Sequence, residues 1–345
     1  MSQWISNHLF YSIDQRGLLL DCIQPLVGEL KAAGLIEQFF FIRYWENGPH
    51  IRLRVKAVHG AENEVKRLME PPLSEFLSRK ATRFILPDNV TKFWPDWYVL
   101  EYGKEALLQK YPSGVIPRYP ENTFRYIDYE PEYARYGGEA GMQISERHFE
   151  RSSRVVLDRL SWPNMQNRGI RDAQNIQLML DMCFAFLDTE EAVAKFCLGY
   201  ASYWFYQFFA GKPGEIVTKV LPTAELLLGK VRTRIRKAAQ DLQNGTTRII
   251  PRQDVEYYAH CKQLKAELDR IASDAVPVPT QLPLQDGETE VRVARDPLIY
   301  LLTSYVHMTN NRLGATLRDE VNMSYVIYRA LSSQDVLRQG GGMVQ

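Results

Sequence analysis

The stretch that decides the fold is Phe39–Val55, FFFIRYWENGPHIRLRV. The Asn-Gly dipeptide in its middle, between two runs of β-forming residues, predicts a hairpin with a two-residue turn. In that register Trp45 pairs with His50, and Arg43 pairs with Arg52. Because successive side chains of a strand point to opposite faces, the hairpin has one core face and one charged face. The predicted core face carries Phe40, Ile42, Tyr44, Ile51, Leu53 and Val55, and the predicted charged face carries Arg43, Trp45, His50, Arg52 and Arg54.

The charged face has two interpretations. Arg43 and Arg52 would be direct cross-strand neighbours, and like charges in that position destabilise a hairpin. Either carboxylates from elsewhere in the chain neutralise the arginines in a structural network, or the face binds a carboxylate or phosphate. The arginine fork matches such groups in bidentate fashion, but structural ion pairs are also common. The hairpin by itself leaves both interpretations open.

The hairpin belongs to an alternation of strand and helix in the first 80 residues. Trp4–Ile13 has the alternating pattern of a strand, and Leu18–Leu35 and Ala61–Arg79 have helical periodicity. Prolines inside both helical segments, Pro25 and Pro71-Pro72, predict kinks or interruptions. The order strand, helix, hairpin, helix resembles much of a ferredoxin-like sheet layer.

The rest of the chain is predicted to be mostly helical. We predict short strands at Phe84–Leu86, Trp97–Leu100 and Phe124–Tyr129, and a proline-rich loop at Val276–Glu288. Predicted helices are Glu139–Leu160, Arg171–Leu187, Glu190–Phe209, Gly214–Gln243, Arg252–Ala272, Pro297–Asn311 and Arg318–Leu331. The predicted fold class is α+β: a small mixed β-sheet with an N-terminal ferredoxin-like portion, packed against a largely helical C-terminal half. We expect a single domain over 1–345, sheet-rich in 1–135 and mostly helical in 139–335.

Composition points to an ordinary globular chain without a global field. The 345 residues carry a net charge of +1, with 45% hydrophobic and 24% charged residues, so the charge gives no reason to expect nucleic acid or membrane binding. No signal peptide and no apolar run of roughly 18 residues occur, which indicates a cytoplasmic protein. The four cysteines follow no metal-ligand spacing and are expected to be reduced, mostly buried thiols. P-loop, dinucleotide-binding and zinc-protease motifs are missing, so neither a cofactor nor a metal is expected.

Polar residues in unusual places are the remaining candidates. His307 lies in an apolar helical segment, where it is either a satisfied core residue or a general acid or base, because its ordinary pKa is near neutrality. Glu132 and Arg135 are three residues apart just before Gly137-Gly138, and a local ion pair at a turn would explain them equally.

Taken together, the motifs H50-x-R52-x-R54, E132-x-x-R135-Y-G-G and H307-M-x-x-N-R312-L, with Glu320 beyond, resemble a known family. In this order they are similar to the C-terminal elimination domain of class I lanthipeptide dehydratases, which also occurs free-standing in thiopeptide-type bacteriocin pathways. The resemblance covers about Trp4 to Leu331.

The resemblance implies a lyase. In that family a separate tRNA-dependent glutamylating protein or domain esterifies Ser or Thr of a precursor peptide, and the elimination domain removes glutamate to leave dehydroalanine or dehydrobutyrine. The matching catalytic positions are Arg52, Arg54, Glu132, Arg135 and His307. Histidine would take or shuttle the proton, arginines would bind the adduct and the departing carboxylate, and Glu132 would orient an arginine or transfer a proton. We expect Arg43, His50 and Arg312 to contact the substrate.

Two alternatives stay open. Relatives of this fold join two dehydroalanines in an aza-[4+2] cycloaddition that forms a pyridine, although those relatives tend to lose the elimination residues. A non-catalytic scaffold that binds the precursor peptide is the other alternative. The expected partners are the precursor peptide and the glutamylating protein, with no direct nucleic acid and no membrane; the sequence is compatible with a homo-oligomer but does not identify one.

Overall fold

The structure is a computed structural model that describes residues 3–83, 91–209, 228–229, 231–242, 244, 252–272, 283–286, 289–292 and 297–332. Contacts divide the chain into two compact units. The first contains Met1–Pro131 and Glu146–Trp162, and the second contains Glu132–Ser145 and Pro163–Gln345.

The first unit contains a four-stranded antiparallel sheet. Its strands are β1 (Gln3–Phe10), β2 (Ile36–Tyr44), β3 (His50–Ala57) and β4 (Thr123–Tyr126). They lie in the order β2-β3-β1-β4, with helices between β1 and β2 and between β3 and β4. That arrangement is the split β-α-β topology of ferredoxin-like proteins, and it confirms the predicted α+β class.

The helices of this unit follow the strand order. They are α1 (Gln15–Gly17), a π-helical stretch (Leu18–Ile23), α2 (Gln24–Ala32), α3 (Glu62–Arg79), α4 (Trp94–Tyr102) and α5 (Lys104–Lys110). The predicted kink at Pro25 corresponds to the π-helical stretch just before it, where the widened turn lets Gln24 N–H donate to the Leu19 carbonyl. The predicted strand Phe84–Leu86 lies outside the described residues.

The register predicted for the hairpin is wrong by one residue. Tyr44, rather than Trp45, pairs with His50, and the connection is five residues long, 45–49. A two-residue turn would have paired Glu46 with Pro49, which has no N–H to donate to the ladder. The tip is instead held from outside, because the Asn47 side chain donates to the Pro117 carbonyl at 2.7 Å.

The shift moves every side chain of β2 to the opposite face. Ile42 now lies opposite Arg52 and Phe40 opposite Arg54, so the predicted repulsion between Arg43 and Arg52 does not occur. Arg43 lies on the other face of the sheet, where its Nη1 donates to the Gln15 side chain at 2.8 Å.

Two further predictions for the first unit are wrong. The helix α3 runs through Pro71-Pro72 without interruption. Its buried stripe of Val65, Met69, Leu73 and Leu77 continues at helical spacing on both sides of the prolines, and that burial outweighs their cost of roughly 3 kcal/mol. Residues 97–100 form part of the helix α4 rather than a strand, because Pro95 suits a first helical turn and Trp94 and Tyr98 bury one face at i, i+4 spacing.

The second unit is helical apart from a two-stranded ribbon. Its helices are α6 (Tyr133–Tyr136), α7 (Gly138–Ser161, which continues into the first unit from Glu146), α8 (Arg168–Phe186), α9 (Glu190–Phe209), α10 (231–242), α11 (Arg252–Ala272), α12 (Pro297–Leu313) and α13 (Leu317–Leu331). The helix α8 is buried from Gln174 to Phe186 and packs against α11, α12 and α13. The strands β5 (Pro283–Asp286) and β6 (Thr289–Arg292) pair where the sequence predicted a loop.

The described residues agree with the remaining general predictions. All four cysteines are free and buried. Among the described helices, none combines the length and the apolar character that crossing a membrane requires.

Candidate functional site

The charged strand β3 places His50, Arg52 and Arg54 on one face of the sheet. Arg52 lies flat on the ring of Tyr44, with its guanidinium carbon 3.5 Å from the ring centroid. Its Nη2 forms an ion pair with Glu46 at 3.1 Å, and Glu46 is only 3% exposed. A carboxylate of the chain therefore pairs with Arg52, which is the structural network that the sequence left open as one interpretation.

Glu46 collects further donors at the hairpin tip. Lys110 Nζ lies 2.7 Å from its Oε1, and the Tyr111 hydroxyl donates to the same oxygen at 2.8 Å. The hydroxyl keeps its proton, because burial, and then the hydrogen bond to Glu46, raise the pKa of Tyr111. Such a buried carboxylate is stabilised only as long as these donors remain.

Arg54 lies in an aromatic setting. Its guanidinium carbon is 4.4 Å from the ring centroid of Tyr129 and 5.3 Å from that of Phe40. Glu146 lies nearby and is 5% exposed; burial raises its pKa, while hydrogen bonding from Tyr129 and the charge of Arg54 act in the opposite direction. Stacking of this kind suits arginine and not lysine.

His50 is held in one neutral form. Its Nδ1 lies 2.7 Å from the Gly48 carbonyl, which can only accept, so Nδ1 carries the proton and Nε2 accepts from Arg52 Nε at 3.3 Å. Burial, followed by the Arg52 charge, lowers the pKa of His50 to about 3. The ring stacks on His8, whose pKa is also lowered by burial and by Arg52.

In the second unit, Glu132 and Arg135 form the predicted local ion pair. Arg135 Nη1 lies 3.2 Å from Glu132 Oε2, and Arg135 Nε donates to Oγ of Ser304 on α12 at 3.1 Å. The Arg135 side chain is 34% exposed and that of Glu132 is 49% exposed, so this pair is open to solvent.

The double glycine that follows has a clear structural reason. Gly137 has a φ of 83° and ends the short helix α6 in the left-handed conformation, and Gly138, with a φ of 77°, begins α7. Gly141 allows a close approach of the chain, because a Cβ there would lie 1.8 Å from the Tyr136 carbonyl oxygen. These glycines fold the segment that carries Glu132 and Arg135 back toward α12.

His307 also lies on α12, one turn after Ser304. Residues three apart on a helix are surface neighbours, about 5–6 Å apart at Cβ. Contact with Ser304 therefore brings Arg135 close to His307. The His307 side chain is 22% exposed, and its Nδ1 lies 3.1 Å from Oε1 of Glu320, which is 1% exposed.

The predicted substrate contact Arg312 has a different environment. It lies on α12 beyond His307 and is fully buried. Burial raises the pKa of Tyr136 to about 12, and the nearby Arg135 and Arg312 charges lower it. Its role in substrate binding stays a prediction.

The predicted residues thus form two sets. His50, Arg52 and Arg54 lie together in the first unit, with Arg43 on the opposite face of the same sheet. Glu132, Arg135 and His307 lie together in the second unit. Within the described ranges, no group of three or more His, Cys, Asp or Glu side chains is arranged to hold a metal ion.

Sequence reasoning missed the polar residues behind His307 and Arg135. These are Ser304, Glu320, Tyr200 and Asn310. A signal for Glu320 was present: His307 is seven residues before Gly314 and Glu320 six after it, so a tight turn at Gly314 makes them neighbours on two antiparallel helices.

The fold and these residues define a class of protein, an α+β enzyme domain with a ferredoxin-like sheet and a histidine and arginine site on helices. The family described as "Lantibiotic biosynthesis dehydratase C-term" matches residues 4–331. The chain therefore belongs to this family, and the resemblance found in the sequence is confirmed.

Solved structures with the same fold come from related pathways. The pyridine synthase TbtD from thiomuracin biosynthesis matches with a TM-score of 0.68 and 13% identity, over 97% of this chain and 99% of TbtD. TsrL matches with a TM-score of 0.61 and 17% identity, over 96% of this chain and 94% of TsrL. The tRNA-dependent lantibiotic dehydratase MibB from Microbispora sp. 107891 matches with a TM-score of 0.52 and 16% identity, over 98% of this chain and 28% of MibB. A search of curated proteins found no significant match.

Proposed function

We propose that the protein removes glutamate from glutamylated Ser or Thr residues of a ribosomally made precursor peptide. The product would carry dehydroalanine or dehydrobutyrine. The observation that supports this most is the contact of Arg135 with Ser304, because it brings an exposed guanidinium next to His307. A base beside a carboxylate-binding group is what β-elimination of an acyl ester requires.

The reaction balances with these residues alone. His307 takes the Cα proton of the esterified residue, and the electron pair of that C–H bond forms the Cα–Cβ double bond. The Cβ–O bond breaks, and glutamate departs as a carboxylate. Arg135 offers the guanidinium that matches a carboxylate, and Glu132 holds that guanidinium from the other side. Protonated His307 then returns its proton to solvent.

Arg52 and Arg54 enter the proposal through the family motif. We propose that Arg54 binds the free carboxylate of the glutamyl adduct, and that Arg52 supports it. The pairing of Arg52 with Glu46 makes a partly structural role equally consistent for that residue. The partners would be the precursor peptide and a separate glutamylating protein, and the reaction would take place in the cytoplasm.

A second candidate is the pyridine-forming cycloaddition. It is favoured by the match to TbtD, a pyridine synthase that shares the fold over nearly the full length of both chains. Elimination is favoured by the presence of the whole residue set, Arg52, Arg54, Glu132, Arg135 and His307.

One experiment separates the two reactions. The Ser/Thr-rich peptide encoded beside the protein is glutamylated by its partner and then incubated with this chain. Elimination releases free glutamate and leaves a peptide one water lighter than the unmodified form. Cycloaddition instead leaves the ester untouched, and converts an already dehydrated peptide to a macrocycle plus leader amide.

Matched variants separate catalysis from a scaffold role. His307→Gln should abolish glutamate release while peptide binding persists, and His260→Gln on α11 should behave as wild type. Release that is unchanged in His307→Gln would leave only the scaffold function.

A further inference from the structure

The carboxylate of Glu320 is the centre of a buried hydrogen-bond network. Its two oxygens lie 3.1 and 3.3 Å from His307 Nδ1, the Tyr200 hydroxyl donates to Oε2, and Asn310 Nδ2 donates to Oε2 at 3.4 Å. The side chain is 1% exposed, so these donors replace water around it.

Tyr200 can only act as a donor in this network. It is fully surrounded by protein, and burial, followed by the Glu320 charge, raises the pKa of Tyr200 well above its ordinary value. The hydroxyl therefore keeps its proton, and that proton points to Glu320. Tyr200 comes from α9 and Glu320 from α13, so the contact also joins two packed helices.

The network determines which nitrogen of His307 is available. A carboxylate accepts and does not donate, so the hydrogen bond to Glu320 requires the proton on Nδ1. Neutral imidazole has one proton, which leaves Nε2 with a free lone pair. The ring of Trp204 packs on the imidazole, with centroids 4.6 Å apart and planes tilted by 35°, and resists rotation that would exchange the two nitrogens.

We propose that Glu320 and Tyr200 are positioning residues that fix His307 in the Nδ1–H form, so that Nε2 is the atom that accepts the Cα proton. Glu320 also stabilises the imidazolium that forms when Nε2 takes the proton, because its carboxylate faces the opposite nitrogen. Tyr200 holds the carboxylate in the orientation that His307 needs. This inference rests on the proposed elimination only for its kinetic consequence, since the tautomer itself is a property of the protein without substrate.

The tautomer is measured directly on the intact protein. Nitrogen-15 NMR of histidine-labelled chain, above the titration of His307, distinguishes Nδ1–H from Nε2–H, and His307→Gln assigns the signal among the six histidines. Wild type should show Nδ1–H. Glu320→Ala should shift the signal toward Nε2–H, and Tyr200→Phe should retain Nδ1–H. A wild-type signal of Nε2–H, or the same signal in folded Glu320→Ala, would overturn the proposal.

Kinetics test the consequence for the reaction. Glu320→Gln, which keeps the shape but not the charge, should lower kcat for glutamate release about 10²-fold and leave KM unchanged. Tyr200→Phe should lower kcat by roughly 3- to 10-fold. Glu191→Gln, an exposed helical glutamate paired with Lys195, is the matched control and should leave both constants unchanged.

The two sets of results are distinguishable. If wild type releases no glutamate but shows the Nδ1–H form, the proposed elimination fails and the positioning of His307 stands. If wild type releases glutamate and Glu320→Gln does so at the same kcat, the positioning role is wrong and the elimination stands.

Discussion

Arg135 donates from Nε to Oγ of Ser304 at 3.1 Å, one helical turn before His307. The same guanidinium is held on its other side by Glu132, 3.2 Å from Nη1. Two anchors orient the guanidinium plane, while about a third of the side chain stays exposed to solvent. The consequence is a cation of fixed direction beside the proposed base.

Removing the anchors should have graded effects on elimination. Arg135→Lys keeps the charge but loses the planar fork, so we expect kcat/KM for glutamate release to fall about 10²-fold or more. Ser304→Ala removes one neutral hydrogen bond and should cost about 5- to 10-fold. Thr303→Ala on the neighbouring face of α12 is the control, since its hydroxyl bonds only to the Ile299 carbonyl. Full activity in Arg135→Lys would contradict the assignment.

The pair Arg52–Glu46 allows structure and catalysis to be separated in the first unit. Glu46→Gln should lower the free energy of unfolding by about 1–3 kcal/mol, because Arg52 and Lys110 lose their common carboxylate. Its glutamate release, corrected for the folded fraction, should stay within about 3-fold of wild type.

Arg52→Lys should have the opposite pattern if Arg52 takes part in the reaction. Lysine retains an ion pair with Glu46 but cannot stack on Tyr44, so stability falls moderately while release falls at least about 10-fold. Urea unfolding and glutamate release on the same preparations decide the point. Equal losses of activity in the two variants would make Arg52 a structural residue only.

The elements that the sequence predicted well are those whose signals are local. The helices Glu190–Phe209 and Arg252–Ala272 have the predicted bounds, because apolar periodicity and flanking loops lie within the segment itself. The hairpin register was not predictable in this way. It depends on Pro49 and on tertiary contacts of Asn47 and Glu46 with a segment some 70 residues later.

The candidate site shows the same division. Motif order identified His307, Glu132 and Arg135 as a set. Glu320 and Ser304 act through contacts that only the folded helices create, and neither has an unusual local sequence. Arg43 was included because of its position in the assumed register, and the register error moved it to the other face of the sheet.

The close approach at Gly141 predicts a sharp effect on stability. A methyl group in Gly141→Ala would lie 1.8 Å from the Tyr136 carbonyl oxygen, so α6 or α7 must shift. We expect the free energy of unfolding to fall by about 1–3 kcal/mol. Gly28→Ala is the matched control, because nothing lies within 4 Å of its added Cβ in the interior of α2. That variant should gain about 0.4–1 kcal/mol, measured by urea unfolding; equal stability of the two variants would contradict the close contact.

The buried histidines of the sheet predict a dependence of stability on pH. The pKa of His50 is lowered from 6.5 to about 3 in the folded state, and that of His8 is lowered as well. Below pH 6.5 the unfolded chain therefore binds protons that the folded chain does not, so stability falls as the pH falls from about 6.5 toward 3. Each histidine contributes a slope of up to about 1.4 kcal/mol per pH unit.

A single substitution isolates the contribution of His50. In His50→Asn the amide can still donate to the Gly48 carbonyl, but it does not titrate, so the slope between pH 6 and 4 should decrease by about one proton's worth. Comparison of variant with wild type cancels the carboxylates, which also titrate in this range. His59→Asn, at an exposed position before the turn at Gly60, should keep the wild-type slope. A His50→Asn curve parallel to that of wild type would mean that His50 is protonated in the folded protein, and the hydrogen bond from Arg52 to its Nε2 could not then exist.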